Sequence, residues 1–175
     1  MTELRLRLVA SIGLVIGAVL GMAGTFAPSA SLRGLAWGID GTALIVSAAL
    51  LTLHHLRRGS DLAAAGFLVF ALGETLIVSG AAATLEASTP SFGAGVALWA
   101  AGLILVSSSR TMPPLVRAAG LVSGSLFTLT ALQIFSGVAL TALSQPLPFF
   151  AYPFLAATLF GWAWVHYRDA SRTRL

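Results

Sequence analysis

Cysteine is absent from the 175 residues, which removes disulfides, thiolate metal sites and cysteine nucleophiles together. Charge is nearly as scarce. Asp, Glu, Lys and Arg make up 9% of the chain, against roughly 25% in a soluble domain, too few to cover a water-facing surface. Lysine is missing altogether, so every one of the basic residues is Arg; this fits a GC-rich coding bias and carries no functional weight. The net charge of +4 comes from Arg at the ends of apolar runs, so it gives no reason to expect a nucleic-acid partner.

Apolar residues fill the space that charge leaves: they make up 57% of the chain, with a mean hydropathy of +0.91. The excess is spread through the whole length, so the solvent for most side chains is lipid. One crossing needs roughly 20 apolar residues, which gives room for six and leaves none for an extramembrane domain. The expected fold class is all-α, a polytopic transmembrane helical bundle forming one integral membrane domain over residues 1–175. Its six expected spans are 8–27, 35–54, 62–84, 92–108, 115–143 and 149–167. Breakers and turn formers separate them: Pro28 and Ser29, Gly59 to Asp61, Ser88 to Ser91, Pro113 and Pro114, and Gln145 to Pro148.

Arginine sets the expected orientation, because basic segments are retained on the cytoplasmic side. Arg5 and Arg7, Arg57 and Arg58, Arg110 and Arg117, and Arg168, Arg172 and Arg174 fall on the N-terminal segment, alternate loops and the C-terminal tail; Arg33 alone lies on the other face. Both termini are therefore expected in the cytoplasm, in the manner of many small inner-membrane proteins of bacteria. The run from Leu8 exceeds the ~7–15 residues of a signal-peptide core, which favours a retained first helix. Loosely similar phrases open at Gly13, Gly66 and Gly120, a repeat signal too weak to frame a site.

Glu74, near the middle of the third span, is the sharpest polar signal. A central acid costs ~2.5–3.5 kcal/mol on insertion scales, so it should turn inward and find a partner on another helix. Phe67, Phe70, Ala71, Ile77, Val78 and Ala81 share its helical face and offer no donor. Gln133, with Thr128, Thr130 and Ser136 nearby on the fifth span, is the expected hydrogen-bonding partner. Asp40 is expected only a turn or so inside the outer end of the second span, solvated or paired with Arg33, and at a different depth from Glu74. Glu74, Gln133 and Asp40 form the candidate intramembrane polar site. Glu74 is then either a neutral structural group or a proton or ion site. The structural reading leads, because the third span carries no further ionisable group at that depth.

His54, His55, Arg57, Arg58 and His166 form a candidate cytoplasmic interfacial cluster, expected to snorkel toward lipid headgroups. Neighbouring His54 and His55 project about 100° apart on a helix, which argues against a shared ion; no metal, haem or other cofactor is expected. Trp37, Trp162, Trp164 and Tyr167 fit interfacial belts, whereas Trp99 belongs to the core. The stretch from Pro146 to Pro153 could re-enter or unwind. Gly13, Gly17 and Gly21, and Gly120 with Gly124, form small-residue ridges for close helix packing inside the bundle.

An enzyme needs a nucleophile with its base, paired carboxylates or a metal cluster, and none is legible. The expectation is a small multipass membrane protein of accessory, scaffold or stress-linked type, with the bilayer and a membrane-protein partner or second copy as its contacts. A proton- or cation-coupled transporter or channel centred on Glu74 is the alternative, and a lipid-modifying enzyme the second alternative.

Overall fold

A computed structural model describes residues 3–80 and 83–172, without the side chains of residues 169, 171 and 172. The Arg172 side chain and Arg174, both used above to orient the chain, and Ala81 lie outside what is described. The chain is all-helical among the described residues: α1 (Glu3–Thr25), α2 (Ala30–Arg57), α3 (Asp61–Gly80), α4 (Thr89–Ser108), α5 (Pro114–Phe135) and α6 (Tyr152–Arg172), with a 3-10 turn at Phe149–Ala151 leading into α6. Five of them, α1 to α5, are long and apolar enough to cross a membrane.

Local chemistry sets the helix ends. The Ser29 side chain caps α2 by accepting the Leu32 amide at 3.2 Å. Gly59, at φ 67°, ends α2, with the Gly59 and Ser60 amides donating to the carbonyls of Leu56 and His55. The same motif ends α5 eight residues earlier than expected. Gly137 adopts φ 91°, its amide donates to the Ile134 carbonyl, and that of Val138 donates to Gln133. The apolar residues after it, including Val138 and Leu140, belong to an irregular connection and not to the helix.

Consecutive helices pack side by side, and α6 packs back on α1, so the six close into a ring. Glycines bring neighbours together. Along α1, Gly13, Gly17, Gly21 and Gly24 face Ser47, Leu44, Asp40 and Trp37 of α2, and Gly120 and Gly124 of α5 face Ser107 and Ile104 of α4. These are internal seams, as expected from small residues spaced four apart. A third seam joins α3 to α4: Gly66 lies against Gly102 and Gly73 against Gly95, backbone to backbone.

Phe67, Phe70, Leu103, Phe127, Leu159 and Trp162 fill the ring's interior. Its outside is apolar too: Ile12 (60% exposed), Leu35, Leu72, Leu132 and Phe160 project outward from five different helices. An apolar surface of that extent is unstable in water and natural in hydrocarbon.

Candidate functional site

Asp40 and Glu74 both point into the ring. On α3, residues 67, 70, 71 and 74 follow the three- and four-residue spacing of one helix face and are all buried, while Leu68, Leu72 and Leu76 face outward. Glu74 is 2% exposed and Asp40 8%. Asp40 lies deeper than expected, because α2 begins at Ala30 and ten residues of helix carry it ~15 Å from that end. The two acids also share a level: a methyl group on Gly41, the residue after Asp40, would lie 2.8 Å from Glu74 Oε1. The expected offset in depth between them is therefore wrong.

Glycine makes this placement possible. Methyl groups on Gly17 and Gly21 would stand 3.2 and 2.9 Å from the Asp40 carboxyl oxygens, so the α1 ridge doubles as the floor on which Asp40 rests.

Asp40 and Glu74 line a cavity of about 500 Å³. It reaches from the ring's α1–α2 and α3–α4 connections down to Leu44, Trp99 and Leu159. Its walls are mainly apolar, with Trp37, Trp99 and Tyr152 as aromatic surfaces, and Arg33 is the one basic residue among the described residues lining it. Arg33 does not pair with Asp40 as expected; its guanidinium lies over the Trp37 ring, 5.9 Å from the centroid. Trp37 in turn donates to the Gly21 carbonyl at 3.3 Å. Trp99 faces the Glu74 carboxyl without closing a satisfying hydrogen bond, and Asp40 Oδ1, Glu74 Oε2 and Trp99 Nε1 all lack partners among the described residues.

Gln133 is not part of this site. It is exposed on α5, and α3 packs against α2 and α4 but not against α5, so no Glu74–Gln133 hydrogen bond forms. The reason is topological: in a closed ring each helix meets its neighbours in sequence. Thr128, Thr130 and Ser136 are equally unavailable, since each donates to a carbonyl of its own helix four residues back.

The histidines also depart from expectation. His54, His55 and His166 are buried at the opposite end of the ring, and one ring nitrogen from each lies within 4.8 Å of the others. They do not snorkel. The 100° between His54 and His55 is bridged because α6 packs on α1 and brings His166 between them. His54 Nδ1 contacts the Glu3 carboxylate, and Arg57, itself exposed like Arg58, stands 3.7 Å from the same acid.

Between cavity and histidines runs an aromatic column that sequence reasoning missed. Trp99 stacks on Phe70, with ring centroids 5.8 Å apart; Phe70 meets Trp162 edge-on at 5.7 Å; Trp162 meets Phe67 at 4.8 Å; and Phe67 stacks on His55 at 5.3 Å. Trp162, expected at an interface, is fully buried at its centre, while Trp164 and Tyr167 are exposed as a belt requires.

No protein-family model matches the chain, and no curated sequence or solved structure is similar to it.

Proposed function

We propose that the chain is a six-span membrane protein, with both termini in the cytoplasm, whose cavity takes up a small lipophilic cation such as a protonated amine and couples its binding to Asp40 and Glu74. The single observation that carries this reading is the pair of buried carboxyls, on adjacent helices and at one level, in a cavity whose one basic residue among those described, Arg33, lies over Trp37 and pairs with neither acid. Acids held in a hydrocarbon environment without a cation of their own are expensive, and evolution tolerates that cost where the missing charge arrives as a ligand or as protons. Apolar walls and the faces of Trp37, Trp99 and Tyr152 suit an organic ammonium better than a bare hydrated ion. Six crossings are supported by the packing of α6 between α5 and α1 and by its outward Phe154, Phe160 and Trp164. The alternation of Arg supports the orientation.

The test is cation and proton flux in proteoliposomes holding wild type, Glu74→Gln or Asp40→Asn, with folding followed in parallel. Flux that disappears in Glu74→Gln while the fold survives supports the proposal. No flux and no amine binding in any variant, with Glu74→Gln as stable as wild type, would overturn it in favour of an accessory or scaffold protein with a structural acid.

A further inference from the structure

We propose that His54, His55 and His166 form a binding site for one divalent transition-metal ion, best suited to Zn²⁺, that fastens α6 to α2 at the end of the ring opposite the cavity. This site is separate from the acid-lined cavity and does not depend on its function.

The hydrogen bonds set the tautomers. His166 Nδ1 lies 2.7 Å from the Trp162 carbonyl, an acceptor only, so Nδ1 carries the proton and Nε2 presents a lone pair. His54 Nδ1 contacts the Glu3 carboxylate, again an acceptor, which leaves the other nitrogen of His54 as the ligating one. His55 Nε2 stands 3.2 Å from His166 Nε2. Two nitrogens on a tetrahedral Zn²⁺, each ~2.0–2.1 Å from the metal, sit about 3.3 Å apart, so this pair already has the separation that two ligands need.

The supports around the rings belong to a metal site as well. A metal-bound imidazole usually donates its other N–H to a carboxylate or a backbone carbonyl, which fixes the ring and strengthens it as a ligand; His54 has the first kind of support and His166 the second. Phe67 stacks against His55 and fixes its plane. Three imidazoles with one position left open is a donor set that zinc accepts, and imidazole also suits copper, nickel and iron. The competing account is a plain hydrogen bond between His55 and His166, with no ion.

The experiment uses the full-length, untagged chain in detergent, stripped with a chelator and titrated with Zn²⁺ against a chromophoric competitor. Co²⁺ serves as a second probe through its visible tetrahedral bands. One ion per chain, tetrahedral Co²⁺ absorption and a Zn²⁺-dependent rise in unfolding temperature are expected. Glu3→Gln, which leaves all three histidines, should weaken binding ~10–100-fold, and His166→Gln should weaken it further and abolish the Co²⁺ bands. Should His166→Gln fail to fold, Glu3→Gln and His54→Gln decide the matter. Absence of stoichiometric Zn²⁺ and Co²⁺ binding in wild type, or binding unchanged in the variants that fold, would overturn the proposal in favour of the histidine–histidine hydrogen bond.

Discussion

A single methyl group on Gly102 should destabilise the ring, although the same change elsewhere in a helix should strengthen it. Alanine is favoured over glycine in a helix interior by ~1 kcal/mol. At Gly38 on α2 the added methyl meets nothing within 4 Å, so Gly38→Ala should gain about that amount. At Gly102 it would lie 2.7 Å from the Gly66 carbonyl oxygen and 2.9 Å from the Phe70 amide nitrogen, backbone atoms that no rotamer change can move aside. Overpacking costs ~1–3 kcal/mol, and with backbone on the receiving side the upper part, about 2–3, applies. Subtracting the helix gain of ~1 leaves a net loss of about 1–2 kcal/mol. Gly66→Ala presses the same seam from the other helix, where the methyl would stand 2.8 Å from the Val106 nitrogen. The double variant should therefore lose less than the sum, because the first methyl has already parted the helices. Reversible unfolding in mixed micelles, by titrating a denaturing detergent against a mild one, reads these differences directly. Gly102→Ala found as stable as Gly38→Ala would refute the close approach of α3 and α4.

Two further outcomes are expected. Trp162→Ala, which empties the centre of the aromatic column, should cost ~3–5 kcal/mol, and Trp162→Phe should recover most of it; equal stability of both variants would mean that the column does not bear the packing assigned to it. Because the chain has no cysteine, single probes report topology cleanly: Ser60→Cys and Ala87→Cys should label from opposite sides of the membrane, and reporters on the two termini should fall on one side. Termini on opposite sides would leave an odd number of crossings.

Composition and apolar run length were enough to read the helical class, and turn residues such as Gly59 and Pro113 were enough to place most boundaries, because in lipid the apolar run is the helix. The end of α5 was misplaced for a physical reason. Hydropathy continues past Gly137, and only the left-handed backbone at that glycine stops the helix. Glu74 was legible from energetic cost, since few residues of its kind occur at such depth without turning inward. Asp40 was under-read because its helix starts earlier than the apolar run does. What could not be read was closure. Nothing in the spacing of His54, His55 and His166 says that the last helix returns to the first, and the same missing fact allowed Gln133 to be paired with a helix that α5 never meets.

Closure also bears on what the cavity can do. Beyond its floor at Trp99 and Leu159, the column toward the histidine end is filled by Phe70 and Phe67, each with its ring against Trp162. Aromatic rings packed in this way leave few voids as large as a water molecule. The cavity lined by Asp40 and Glu74 thus ends against this aromatic column at Trp99. On the proposed reading, a cation meets Asp40 and Glu74 before it meets this column, and its passage beyond them would require Trp162 on α6 to part from Phe67 and Phe70 on α3. The two steps are therefore separable: Glu74→Gln should remove binding and flux together, while a change confined to the Trp162 contacts should alter flux and leave the affinity of the acid pair as it was.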